Sequence, residues 1–198
     1  MDRAGLAASK KNAARLRAAL VFLDESGLLM APLVRRSWSL RGHTPRLIQR
    51  TRCHQKVSAI AALCVAPSRD RIALYFRLLP EANVNSERVM DFLENLQHQL
   101  RSPIVLIWDR FQAHLGQLIE ECTPADSPYL AYLPPYAPEL NPVEYLWAYL
   151  KTNQLANAPA FDLPSLAHRA RRAARSVQHQ PDLLRAFLRH THLPLRLR

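Results

Sequence analysis

The run Ile104-Val-Leu-Ile-Trp108 constrains the fold more than any other stretch of the chain. It follows a helix breaker, Pro103, and closes on an acid, Asp109. An unbroken apolar run of this length reads as a strand buried on both faces, the kind found in sheets that carry helices on both sides. Ala19 to Asp24 reads the same way, as a short buried strand that also ends on a carboxylate. The class is therefore α/β, and two strands deliver acids to an edge where such sheets bind ligands.

The remaining segments set the order of elements. Lys56–Val65 and Arg71–Leu79 are apolar and β-branched, and the turn Ala66-Pro-Ser-Arg-Asp70 between them predicts an antiparallel hairpin. Val89, Phe92, Leu93, Leu96 and Leu100 recur at helical spacing, and Asn85 or Ser86 can cap that helix. Residues 112–121 predict a short helix, Tyr129–Leu133 a strand, and Asn141-Pro142 the start of a helix running to about Leu155. Two Arg-rich helices follow, at roughly 164–178 and 181–190. Gly27–Arg52 reads as irregular, punctuated by Trp38, Gly42 and Pro45. Three strands and then alternating helices and strands is the order of the RNase H-like fold. The expectation is a central mixed five-stranded sheet, three strands antiparallel and then parallel ones, flanked by helices and followed by extra C-terminal helices. Residues 1–18 would form a basic lead-in, 19–158 the catalytic domain and 159–198 a basic helical extension.

Charge is distributed unevenly. Of a net +11, residues 1–56 hold 12 Lys/Arg against 3 Asp/Glu, residues 57–160 hold 7 against 11, and residues 161–198 hold 8 against 2. An acidic middle between basic ends suits an enzyme that grips a phosphate backbone around a cation site. The three cysteines, Cys53, Cys64 and Cys122, form no CxxC pair and are odd in number. They argue against a disulfide framework or a zinc knuckle and for a reducing compartment. The Leu20–Leu23 run is too short for a signal-peptide core or a membrane span. A cytoplasmic protein without membrane attachment is expected.

Three acids stand out: Asp24, Asp109 and Glu144, the last two with 34 residues between them. Hard oxygen ligands of this type suit Mg²⁺ or Mn²⁺. Each acid also has an ordinary structural explanation. An Asp after a strand is often a turn former. Glu144 falls at the third position of a helix capped by Asn141 with Pro142 first, the reciprocal position of a capping box.

The wider wording favours chemistry. Phe22-Leu-Asp-Glu25, Arg36-Ser-Trp38, Gly42-His-Thr-Pro45 and Trp108-Asp109 with His114 precede the specific block Pro134-Pro-Tyr-Ala-Pro-Glu-Leu-Asn-Pro-Val-Glu144, which Trp147 and Lys151 follow. Together these resemble the catalytic domain of DDE-superfamily transposases, of the mariner-like type of bacterial insertion sequences. The resemblance implies that Asp24, Asp109 and Glu144 are the catalytic acids and hold two divalent cations, Mg²⁺ with Mn²⁺ able to substitute. It implies cleavage of double-stranded DNA at an element end, then attack of the freed 3′-hydroxyl on target DNA, usually at TA. It also implies a dimer on DNA, a bacterial cytoplasm and association with the nucleoid.

Other positions carry alternatives. The family usually has Asn after its second Asp, where this chain has Arg110, which can hold a phosphate or pair with an acid. His114 can orient DNA or start a helix. Lys151 can reach phosphate or lie in solvent, and Trp147 reads as core before DNA contact. Arg36 and Trp38 are further DNA-binding candidates. Glu139 reads as a loop acid, and Glu25 as pointing to the other face of its strand, either backing the site from behind or exposed to solvent. Only about 20 residues precede the first strand, so an upstream helix-turn-helix protein of the same element is an expected partner. The competing readings are a catalytically inactive, truncated DNA-binding remnant of a transposase and a ribonuclease or resolvase of the same fold.

Overall fold

The computed structural model describes residues 16–31, 33–47, 55–109, 129–193, 195 and 197. The strands are β1 (Ala19–Leu29), β2 (Lys56–Val65), β3 (Ile72–Leu79), β4 (Ile104–Trp108) and β5 (Tyr129–Tyr132). The helices are α1 (Ser86–Leu100), α2 (Pro142–Tyr149), α3 (Leu163–Gln178) and α4 (Pro181–His190). A 3₁₀ turn over Pro138–Leu140 leads into α2, and a π-helical turn over Leu150–Gln154 continues it. The helix expected at 112–121 lies outside the described residues, as do Cys53 and Cys122. Cys64 is free and buried, and burial pushes its thiol pKa up.

The sheet runs β3-β2-β1-β4-β5. β1 to β3 pair antiparallel, and β4 and β5 join parallel. This is the expected mixed five-stranded arrangement. The hairpin closes through Ala66 N to Arg71 O and Arg69 N to Ala66 O, both 2.9 Å. Helix limits follow their caps. Asn85 Oδ1 accepts from Arg88 N at 3.1 Å, and Arg101 stops α1 in the left-handed region with φ 49°. Asp162 Oδ1 accepts from Ser165 N at 2.7 Å to start α3.

Alternation along β1 divides the core. Leu20 and Phe22 face Val143, Trp147, Val177 and Phe187 of α2, α3 and α4. Val21 and Leu23 face Val89, Phe92 and Leu96 of α1, with Trp108. A smaller cluster gathers Leu28, Met30 and Val57 under Leu155, Leu166 and Ala170.

One boundary differs from the sequence reading. β1 does not end at Asp24 but runs on through Leu29, so Gly27 to Leu29 are strand rather than loop. The polar run Asp24-Glu25-Ser26 breaks the apolar pattern, yet β2 supplies partners the whole way, from Asp24↔Ala61 to Leu29↔Lys56. Backbone pairing and burial of Leu28 carry the strand past its polar centre.

Candidate catalytic carboxylates

Asp24 lies in the middle of its strand, at the point where one neighbour leaves. The parallel pairing of β1 with β4 extends to Phe22↔Ile107. Carrying that register onward sets Asp109, just past β4, beside Asp24. The parallel edge therefore opens where the sequence puts two acids.

The third acid comes from across the first core. Asn141 caps α2 by accepting from Val143 N at 3.1 Å, and its Nδ2 donates to Leu23 O at 3.1 Å. This buried amide thus fastens the start of α2 to the residue before Asp24. One turn on, Glu144 is exposed at the third helical position. The reciprocal capping bond does not form, because Asn141 N donates to Pro138 O at 2.9 Å instead. Glu144 is thereby left facing outward from the same helix that carries Trp147.

Trp147 is 3% exposed, and its Nε1 donates to Asp24 Oδ2 at 2.8 Å. Its apolar surroundings match the core position expected from the sequence, while its polar end, which holds Asp24, becomes visible in the fold. Its position three residues after Glu144, on one helix face, was the available signal. Burial, then the charges of Glu144 and Glu25, raise the Asp24 pKa to about 8, against the lowering effect of the Trp147 bond.

Glu25 points to the other face, as alternation requires. It is not a surface acid there. Burial and the charge of Asp109 raise its pKa to about 7, while the nearby Trp108 indole draws it down. Neither Glu25 Oε1 nor Trp108 Nε1 reaches full hydrogen-bond geometry with any partner. The four carboxylates are thus linked in a chain at the end of β4, Glu144 acting on Asp24, Asp24 and Glu25 adjacent, and Asp109 acting on Glu25.

Among the described residues, no group of three His, Cys, Asp or Glu side chains is closed tightly enough to hold a metal ion. The donor chemistry nonetheless fits a hard divalent cation. Every candidate ligand is a carboxylate, and Asp24 is pushed up by burial and like charge, both of which a cation relieves.

The other candidates are scattered. Lys151 Nζ donates to Ser26 Oγ at 2.8 Å, tying the π-helical turn to β1 rather than lying free in solvent. Trp38 is 99% exposed, and Arg36 is exposed beside it. Their segment is pinned through Arg35, whose N donates to Asn157 Oδ1 at 2.8 Å and whose carbonyl accepts from Asn157 Nδ2 at 2.9 Å. Glu139 is exposed in the 3₁₀ turn ahead of α2. Arg110 and His114 lie outside the described residues.

Residues 19–167 match the family profile described as DDE superfamily endonuclease. Among solved structures, the chain resembles the Mos1 mariner paired-end complex with Mn, at 13% identity and a TM-score of 0.55, over 98% of this chain and 62% of that one. The corresponding complex with Mg gives 16% and 0.55, over 96% and 58%. A pre-cleavage Mos1 transpososome gives 16% and 0.50, over 96% and 60%. At these identities the likeness is one of fold, and it identifies the sheet and its helices as RNase H-like. The chain spans about six-tenths of the length of these relatives. No curated protein matches it in sequence.

Proposed function

Because the chain belongs to the DDE superfamily endonucleases, we propose that it is the catalytic part of a transposase that cuts DNA at an element end and joins that end to target DNA. The observation that carries this reading is the coupling of Asp24 with Glu144 and of Glu25 with Asp109 where β4 parts from β1, with Asp24 raised to about 8. Asp24, Asp109 and Glu144 would hold two divalent cations, Mg²⁺ or Mn²⁺, which supply charge to draw on phosphate oxygens and to activate the attacking oxygen.

The chain's own residues prepare the site. Trp147 holds Asp24 Oδ2, and Asn141 locks the start of α2 onto β1, so Glu144 keeps a set distance from the strand. In cleavage, a water oxygen bonds to phosphorus as the bond to the 3′ oxygen breaks, and the departing oxygen takes up a proton. In joining, the oxygen of that 3′-hydroxyl gives up its proton and bonds to a target phosphorus, and the target's own 3′ oxygen leaves and takes up a proton. Both are in-line displacements, so one site serves both. The solved structures of similar fold are Mos1 mariner paired-end complexes, one with Mn and one with Mg, which supports duplex DNA as substrate and these ions as cofactors. Target TA sites, a dimer on DNA, a separate helix-turn-helix partner and a bacterial cytoplasmic setting complete the proposal.

Strand cleavage of a supercoiled plasmid or a pre-cut element end, with Mn²⁺ or Mg²⁺, tests it. Wild type should cut, and Asp109→Ala and Glu144→Ala should lose cutting while remaining folded. An inactive remnant is the second reading, motivated by the open arrangement of the acids among the described residues. A wild type that stays inactive with the helix-turn-helix partner supplied would establish it.

A further inference from the structure

A second charged feature lies away from the carboxylates. β3 is an edge strand of the sheet, with α1 packed over one face and α3 over the other. A cavity of about 370 Å³ opens along this edge, lined by Arg77 from β3, Phe92 from α1, and Arg171 and Arg175 from α3. A second of about 390 Å³ continues it towards Arg71 and Arg185, and the two share Tyr75 and Gln99. They form one groove along the strand.

The arginines differ in what they already bind. Arg77 pairs with Asp91 and lies 5.8 Å from the Phe92 ring centre, so its charge is met. Arg185 pairs with Asp182 at 3.4 Å and donates to Asp70 O at 3.0 Å. Arg171 and Arg175 form no salt bridge among the described residues. They stand one helical turn apart, where like charges repel. The 16 residues of α3 include no Asp or Glu to offset them, and Arg172 adds a third exposed charge. Arg175, in the last turn, is favoured by the helix dipole, whereas Arg171 and Arg172 have no acid on their own helix to meet them.

We propose that the β3-edge groove is a second DNA-binding surface, in which Arg171 and Arg175 take backbone phosphates without reading sequence. The choice of polyanion rests on the function proposed above, and the charge argument does not. The groove is set to one side of the acids. Asp24, Ala61 and Phe76 stand in one cross-strand row, so its nearest wall is two strand spacings, roughly 10 Å, from Asp24. DNA held there flanks the phosphodiester under attack.

The test is binding of a random-sequence duplex by the full chain in EDTA, followed by fluorescence anisotropy across a NaCl series. The double variant Arg171→Ala/Arg175→Ala keeps helix-forming residues in α3, so it should fold. If the groove binds phosphate, the slope of log K against log salt should fall in magnitude by about 2 in the double variant, equally for unrelated sequences. An unchanged slope would overturn the proposal. Retention of the DNA slope with loss of binding to a polyglutamate probe would also overturn it and assign the groove to an acidic polypeptide. Because the slope is read without divalent metal, an inactive wild type whose double variant still loses slope would remove the transposase reading and leave the groove standing.

Discussion

In the metal-free protein, raising the pH should loosen the fold through Asp24. The carboxyl titrates near 3.8 when unfolded and at about 8 when folded. A folded pKa raised in this way contributes stability that is complete below the unfolded value and lost as pH rises through the folded one. Between those limits the folded state keeps a proton that the unfolded state releases. Each pH unit then costs about 1.4 kcal/mol per such proton. From about pH 5 to about pH 7, Asp24 alone should remove about 3 kcal/mol, or roughly 6–12 °C in melting temperature for a chain of this size. Glu25, raised from 4.5 to about 7, adds a loss of the same sign over its own range. The assay is urea denaturation in EDTA at several pH values, comparing wild type with Asp24→Asn. The Asn amide oxygen can still accept from Trp147 Nε1, so the variant removes the titration and keeps the bond. Wild type should lose about 3 kcal/mol more than the variant across that interval. Parallel pH profiles would show that Asp24 is already ionised at pH 5 and would refute the reasoning.

Three further outcomes follow from the same contacts. Trp147→Phe keeps a ring in the core but removes the donor to Asp24 Oδ2, so denaturation should register a loss of about 2 kcal/mol and DNA cleavage should drop at least about tenfold; wild-type cleavage would show that the bond is dispensable. Asn141→Ala removes both a helix cap and the link to Leu23 O, and should cost about 2–3 kcal/mol in urea denaturation, more than a cap alone. Adding Mn²⁺ at about pH 7 should raise the wild-type melting temperature by mass action, and Glu144→Gln should abolish most of that rise; an equal rise in both would remove Glu144 from the ligand set.

Much of this was legible because local rules and global packing agreed. Ile104–Trp108 is a strand by apolarity alone, and α1 and α3 begin at side chains able to cap them. The second half of β1 was hidden because three polar residues interrupt its pattern, and only β2, a remote segment, holds it in the sheet. The same remoteness hid the Trp147–Asp24 bond, whose partners are 123 residues apart. Alternation along β1 gives Glu25 its face, but the Asp109 charge that helps burial raise its pKa arrives from the segment after β4, which spacing along one strand does not reveal. The β3-edge groove was equally out of reach, since its walls come from three separate segments.

The π-helical turn after α2 bears on how Glu144 keeps its aim. Leu155 N donates to Leu150 O at 2.9 Å, closing a turn with one residue more than an α-helix allows. An α-helix advances about 100° per residue, so one added residue would swing everything beyond it around the axis. Here the slip in phase is absorbed between Leu150, seated in the core with Trp147, and Leu155, seated under Leu28. The two ends of the helix are geared separately. The front keeps the angular setting that points Glu144 outward and Trp147 at Asp24, whatever rotation the rear needs to reach its own pocket.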